Sequence, residues 1–108
     1  MNDKMFDVLG MPDGPWNSKW GFSMEEEEVM QVDFEIGADR IGKKRISVIF
    51  TNAEGLETWN DDSEVTEERA KKGIQWLLTH GFIRTGGKAG TISGSSFQRE
   101  KLSTKEGK

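Results

Sequence analysis

The stretch VMQVDFEI, residues 29–36, constrains the fold more than any other part of the chain. Met30, Val32, Phe34 and Ile36 alternate with Gln31, Asp33 and Glu35. A strand turns successive side chains to opposite faces, so this period sets one face on a core and the other toward water. Slipping the register by one residue would bury Asp33 and Glu35 and expose Val32 and Phe34, which pins the pairing. RISVIFTN, residues 45–52, repeats the pattern with Ile46, Val48 and Phe50 inward. KWGFSM, residues 19–24, does so with Trp20, Phe22 and Met24. Between the two clearest strands GADRIGKK carries turn residues at both ends and reads as a hairpin loop. The expectation is an antiparallel meander of strands near 19–24, 29–36 and 45–52. Glu25, Glu26, Glu27 and Glu28 interrupt it, and four adjacent like charges are cheapest in a turn or at a solvated strand end.

The period then changes. Ala70, Ile74, Leu77 and Leu78 fall at helical spacing, predicting a helix over 64–80 laid on the apolar face of the sheet. Asp61, Asp62, Ser63 and Thr66 offer N-caps, Glu64, Glu67 and Glu68 suit the positive end of the helix dipole, and Gly81 supplies the stop. Phe82 and Ile83 read as the start of a last strand. The expected core comprises Trp20, Phe22, Met30, Val32, Phe34, Ile36, Ile46, Val48, Phe50, Ile74, Leu77 and Leu78.

Punctuation sets the expected boundaries. Gly10, Pro12, Gly14 and Pro15 break regular structure, so residues 1–15 read as a lead-in segment. Residues 16–84 read as a single α+β domain. Residues 85–108 are rich in Gly, Ser and Lys, with Ile92, Phe97 and Leu102 as their main apolar side chains, and read as a flexible basic tail. No apolar run approaches the roughly 18 residues that span a bilayer. The N-terminus lacks the basic-then-apolar order of a secretory signal, and there is no cysteine for disulfides or thiolate metal sites. The expected location is the cytoplasm, with no membrane partner.

Reactive chemistry finds little footing. The one histidine, His80, closes the predicted helix, where a capping donor is favoured anyway. Nucleophilic catalysis needs a nucleophile, a base and an orienting group, and no such set is legible, so no enzyme activity is expected. Carboxylates at 25–28 would alternate faces on a strand, and DDSE at 61–64 is explained by capping, so no metal and no cofactor are expected. GGKAGT, residues 86–91, lacks the Lys-Ser/Thr pair and the following helix of a phosphate-binding loop and reads as linker.

Charge and aromatic residues remain. The net charge of −4 divides sharply: residues 1–68 carry 17 acidic and six basic side chains, whereas residues 69–108 carry two acidic and nine basic. Within the acidic part, Arg40, Lys43, Lys44 and Arg45 crowd one hairpin turn, and Trp16 and Trp59 flank the strands. Aromatic platforms beside cations are how single-stranded nucleic acid is held, the rings stacking bases and the cations tracking phosphates. The competing account is a solvated hairpin tip, and the residues alone weigh the two about equally.

The order WGF, VMQVDFEI, GKKRISVIFTNAE and EERAKKGIQWLLTHGF, within residues 16–82, resembles a family of small phage-encoded proteins of replication and recombination cassettes. Members are described as single-stranded-DNA-binding and OB-like. The resemblance implies a partial OB-like barrel and binding of single-stranded nucleic acid in the host cytoplasm. The family continues after the helix with further strands, where this chain reads as tail. That departure leaves open a second reading, a protein-interaction module that inhibits a host DNA-handling protein. Its acidic face would comprise Glu25, Glu26, Glu27, Glu28, Asp33 and Glu35, imitating phosphate charge. A short meander also leaves strand edges unpaired, so a homodimer is expected.

Overall fold

The computed structural model describes residues 4–11, 16–17, 23–38, 40–59 and 65–99, with the backbone alone for Trp16, Asn17 and Ser23. The elements run α1 (Met5–Leu9), β1 (Trp16–Asn17), β2 (Ser23–Met24), a 3-10 turn (Glu26–Glu28), β3 (Val29–Ala38), β4 (Lys44–Asn52), β5 (Glu57–Trp59), α2 (Glu67–Thr79), β6 (Phe82–Gly86) and β7 (Ser95–Arg99). The fold is α+β. Five strands form one antiparallel sheet in the order β5-β4-β3-β7-β6, which stays open rather than closing into a barrel. Among the described residues no helix is long and apolar enough to cross a membrane.

The period-two reading of β3 and β4 holds. Val32 pairs with Phe50, Phe34 with Val48 and Ile36 with Ile46, while Asp33 pairs with Ile49 and Glu35 with Ser47 on the other face. Val32, Phe34, Val48 and Phe50 are fully buried. A β-bulge between Val29 and Gln31 shifts the phase at the start of β3. An extra residue on one strand turns the neighbouring side chain off its expected face. Val29 is therefore buried, and Met30, expected in the core, is half-buried. The β4–β5 hairpin turns on Asn52, whose Oδ1 accepts from the backbone N–H groups of Glu54 and Leu56. This side chain imitates a backbone turn, the usual role of Asn in tight loops.

The order of strands corrects the expected meander. Ser23 and Met24 pair with Asn17 and Trp16 in a separate two-stranded ladder and do not extend the main sheet. Residues 18–22, with Trp20 and Phe22 of the expected core, lie outside the described residues. The place beside β3 belongs to β7, which pairs with β3 over Gln31–Gln98 to Phe34–Ser95 and with β6 on its other side. The domain therefore runs past residue 84. Residues 85–99, expected as the first part of a flexible tail, complete β6 and build a strand inside the sheet, with Phe97 fully buried edge-on to Phe34. The expected tail beyond them, residues 100–108, lies outside the described residues.

Both helices pack on one face. α2 begins at Thr66, whose hydroxyl accepts from the Arg69 N–H. It buries Ala70, Gly73 and Leu77, with Ile74 and Trp76 partly buried against the core. Leu78, expected inside, is 50% exposed because it lies at the rim of that face. α1 corrects the reading of residues 1–15 as a mere lead-in. Met5, Phe6 and Leu9 are buried in the same core, Phe6 lying 5.1 Å from Phe50. α1 approaches α2 so closely that a Cβ on Gly73 would stand 2.5 Å from a Leu9 methyl. A helix of five residues has no stability of its own, so this packing holds it.

Candidate nucleic-acid interface

Strand alternation divides the basic hairpin between two faces. Arg40, Ile41 and Lys43 are exposed in the turn, where Gly42 takes a positive φ of 85° and Ile41 is 86% exposed. Lys44, the first residue of β4, points to the helix side and meets Glu67 in the first turn of α2 at 3.3 Å. Both partners are more than half exposed, so the pair contributes little stability, but it gives Lys44 a counter-charge within the molecule. Arg45 falls on the opposite face, in line with Ser47 and Ile49, and is half-buried. Thus the β4 register sets Arg45 on the helix-free face and Lys44 on the helix side, with Arg40 and Lys43 exposed in the turn that precedes them.

Register builds the rest of that face. Trp59 on β5 stands opposite Ile49, and Ile49 stands opposite Asp33, so an aromatic ring and an aliphatic side chain lie side by side. Both are half-buried. Arg45 lies four residues along β4 from Ile49, about 13 Å at the rise of a strand. Polar side chains fill the neighbouring strands. Asp33 accepts from Ser96 Oγ and from Gln31 Nε2, and Gln98 Nε2 donates to Gln31 Oε1. Those bonds occupy the Asp33 carboxylate, whereas Glu35 is exposed opposite Ser47. For Trp16 the backbone pairs with Met24, and its side chain lies outside the described residues.

The acidic set is divided between a turn and a strand. Glu25 to Glu28 fold as the expected turn, with the Glu25 N–H donating to Glu28 Oε1 at 2.9 Å and the Phe6 N–H donating to Glu26 Oε1 at 3.3 Å. Asp33 and Glu35 stand instead on the sheet face. Arg99, which the sequence reading passed over, anchors the turn. Its Nε donates to the Val29 carbonyl at 2.9 Å and its guanidinium lies 4.6 Å from the Phe82 ring centroid. Burial lowers the Arg99 pKa from its ordinary value, and the charges of Glu26 and Glu27 act against that shift. Replacing Arg99 with Leu should therefore cost about 2 kcal/mol, the worth of a charge-assisted bond to a buried carbonyl. In a domain of this size that lowers Tm by roughly 8–16 °C. Added salt should restore part of the loss by screening the four glutamates. An unchanged Tm would remove Arg99 from this role.

His80 stacks on Trp76 with ring centroids 3.9 Å apart, and its Nδ1 lies 2.7 Å from the Trp76 carbonyl oxygen, a helix-end contact. Among the described residues no three carboxylate or imidazole groups converge to hold a metal ion. GGKAGT, read as linker, forms an ordered turn in which Thr91 bonds back to the Lys88 carbonyl. Compared with known proteins, the chain matches no family model, no curated protein and no solved structure.

The face residues Gln31, Ile49, Ser96 and Gln98 were not singled out from the sequence. For Gln31 and Ile49 a signal existed, since each is an outward position of a strand whose register was legible. Ser96 and Gln98 give no such signal, because the Gly, Ser and Lys content of residues 85–108 reads as tail.

Proposed function

We propose that this protein binds single-stranded nucleic acid in the cytoplasm, as an accessory factor of the phage type that residues 16–82 resemble. The strand would lie on the sheet face turned away from both helices. One observation carries the reading: the β4 register sets Arg45 and Ile49 on that face, with Trp59 beside Ile49 and the Arg40–Lys43 turn at its end. Phosphates would meet Arg40, Lys43 and Arg45, and a base would stack on Trp59. Gln31, Gln98 and Ser96 offer polar groups to base edges along the neighbouring strands. The acidic-mimic alternative loses support because its carboxylates are divided between a turn and the sheet.

The test is a titration with labelled single-stranded oligonucleotides at two salt concentrations. Replacing Arg40, Lys43 and Arg45 together with Gln should flatten the dependence of log K on log salt by about 2, near 0.7 for each lost contact. Trp59→Ala should weaken binding by roughly 1–3 kcal/mol, the worth of one stacked base. Absence of binding at micromolar protein and low salt would overturn the reading.

A further inference from the structure

The sheet has two ends. At one, β5 is three residues long, with β1 close beside it. At the other, β6 closes the order with five residues, Phe82–Gly86, and no strand lies on its outer side among the described residues. Unpaired strand edges are templates for another strand, and natural edges are blunted by charge, proline or a bulge. On β6 the outward-face residues are Ile83, 49% exposed, and the exposed Thr85; neither is charged. The only irregularity is a bulge between Arg84 and Gly86, which leaves the stretch around Ile83 regular. Leu78 of α2, 50% exposed, lines a groove of ≈ 420 Å³ with Ile74, Ile92 and Arg84, on the helix side of the same edge. Two of the four large apolar side chains most exposed among the described residues thus lie at one strand edge that has no neighbouring strand among those residues.

We infer that two copies of this chain associate through β6, antiparallel and centred on Ile83, to make one ten-stranded sheet. This register sets Ile83 against Ile83 of the second copy and Phe82 against Arg84 of the second copy, so no like charges stand opposed. Centring on Arg84 would oppose two guanidinium groups, which cross-strand pairing disfavours. The two-fold symmetry makes the contact self-complementary and closed. It also carries Leu78 of both chains toward the new strand junction on the helix side. The helix-free faces of the two copies become one continuous surface, but the association does not depend on what that surface binds.

Sedimentation over a range of concentrations tests this directly. The wild-type mass should rise from 12.2 kDa to twice that value. Ile83→Lys, at an exposed position that folding tolerates, should stay monomeric over the same range, and Ile41→Lys on the distant hairpin should behave as wild type. The chain has no cysteine, so single-cysteine variants report cleanly. Oxidised Ile83→Cys should run as a covalent dimer, because opposed residues at a strand pair lie within disulfide reach. Ile41→Cys should not. A wild-type chain that remains at 12.2 kDa at high micromolar concentration overturns the inference. So does an Ile83→Lys variant that dimerises like wild type, or equal cross-linking at residues 41 and 83.

Discussion

A chain ending after residue 84 is expected to be unfolded at 25 °C, while one ending after residue 100 keeps the cooperative transition of the whole protein. The reason lies in the strand order. β7 is the last described strand in sequence but stands between β3 and β6, so its loss strips two ladders at once. It also removes Phe97, fully buried and 6.0 Å from Phe34 in an edge-to-face contact. The single substitution Phe97→Ala should already cost about 3–5 kcal/mol, combining lost transfer energy with the cavity left behind. Domains of this kind have some 5–15 kcal/mol in total. Removing the whole strand exceeds that reserve, because β6 then loses its ladder with β7 and the Val32–Phe34 edge of β3 is opened. Circular dichroism and urea unfolding of the two truncated chains and of Phe97→Ala decide the matter. A cooperative transition in the 84-residue chain would mean that β7 is dispensable.

That strand also marks where the sequence stops being legible. β3 and β4 could be read because one face is buried and the other is not, so their side chains alternate without ambiguity. α2 could be read because its buried residues recur at helical spacing and Thr66 caps it. β7 reads Ser-Ser-Phe-Gln-Arg, a poor strand by composition. It succeeds because Ser95 donates to the Thr91 carbonyl, and Arg99 reaches the Val29 carbonyl and covers Phe82. Two inward positions that would ordinarily be apolar are thus filled by bonded polar groups, a tertiary effect that no local pattern records. α1 and β5 are too short to carry a period. Of the candidate site, the basic cluster was visible as charge, but its division between two faces follows from the residue at which β4 begins. Element ends are the least legible feature of a sequence.

The β6–β7 turn should respond to substitution in a way that separates backbone strain from collision. Gly87 and Gly90 both adopt positive φ, 81° and 88°. At Gly90 an added Cβ meets nothing within 4 Å, whereas at Gly87 it would stand 2.8 Å from Ser95 Cα and 3.0 Å from the Gly94 carbonyl oxygen. Alanine at residue 90 should therefore cost about 1–2 kcal/mol, the left-handed penalty alone. At residue 87 the same penalty is joined by overpacking against backbone, about 1–3 kcal/mol more. Backbone cannot swing aside as a side chain would, and here it is held in place. The Gly94 N–H donates to the Phe34 carbonyl, and Ser95 Oγ accepts from Arg84 while donating to the Thr91 carbonyl. Relief at Gly87 would pull β7 away from β3 at its first residue. Asparagine distinguishes the two costs, since it tolerates the left-handed region but still carries a Cβ. Gly90→Asn should melt close to wild type, whereas Gly87→Asn should recover the left-handed part of the Gly87→Ala loss and keep the overpacking part. Equal responses at the two glycines would show that the turn yields, and that β7 is held by its ladders alone.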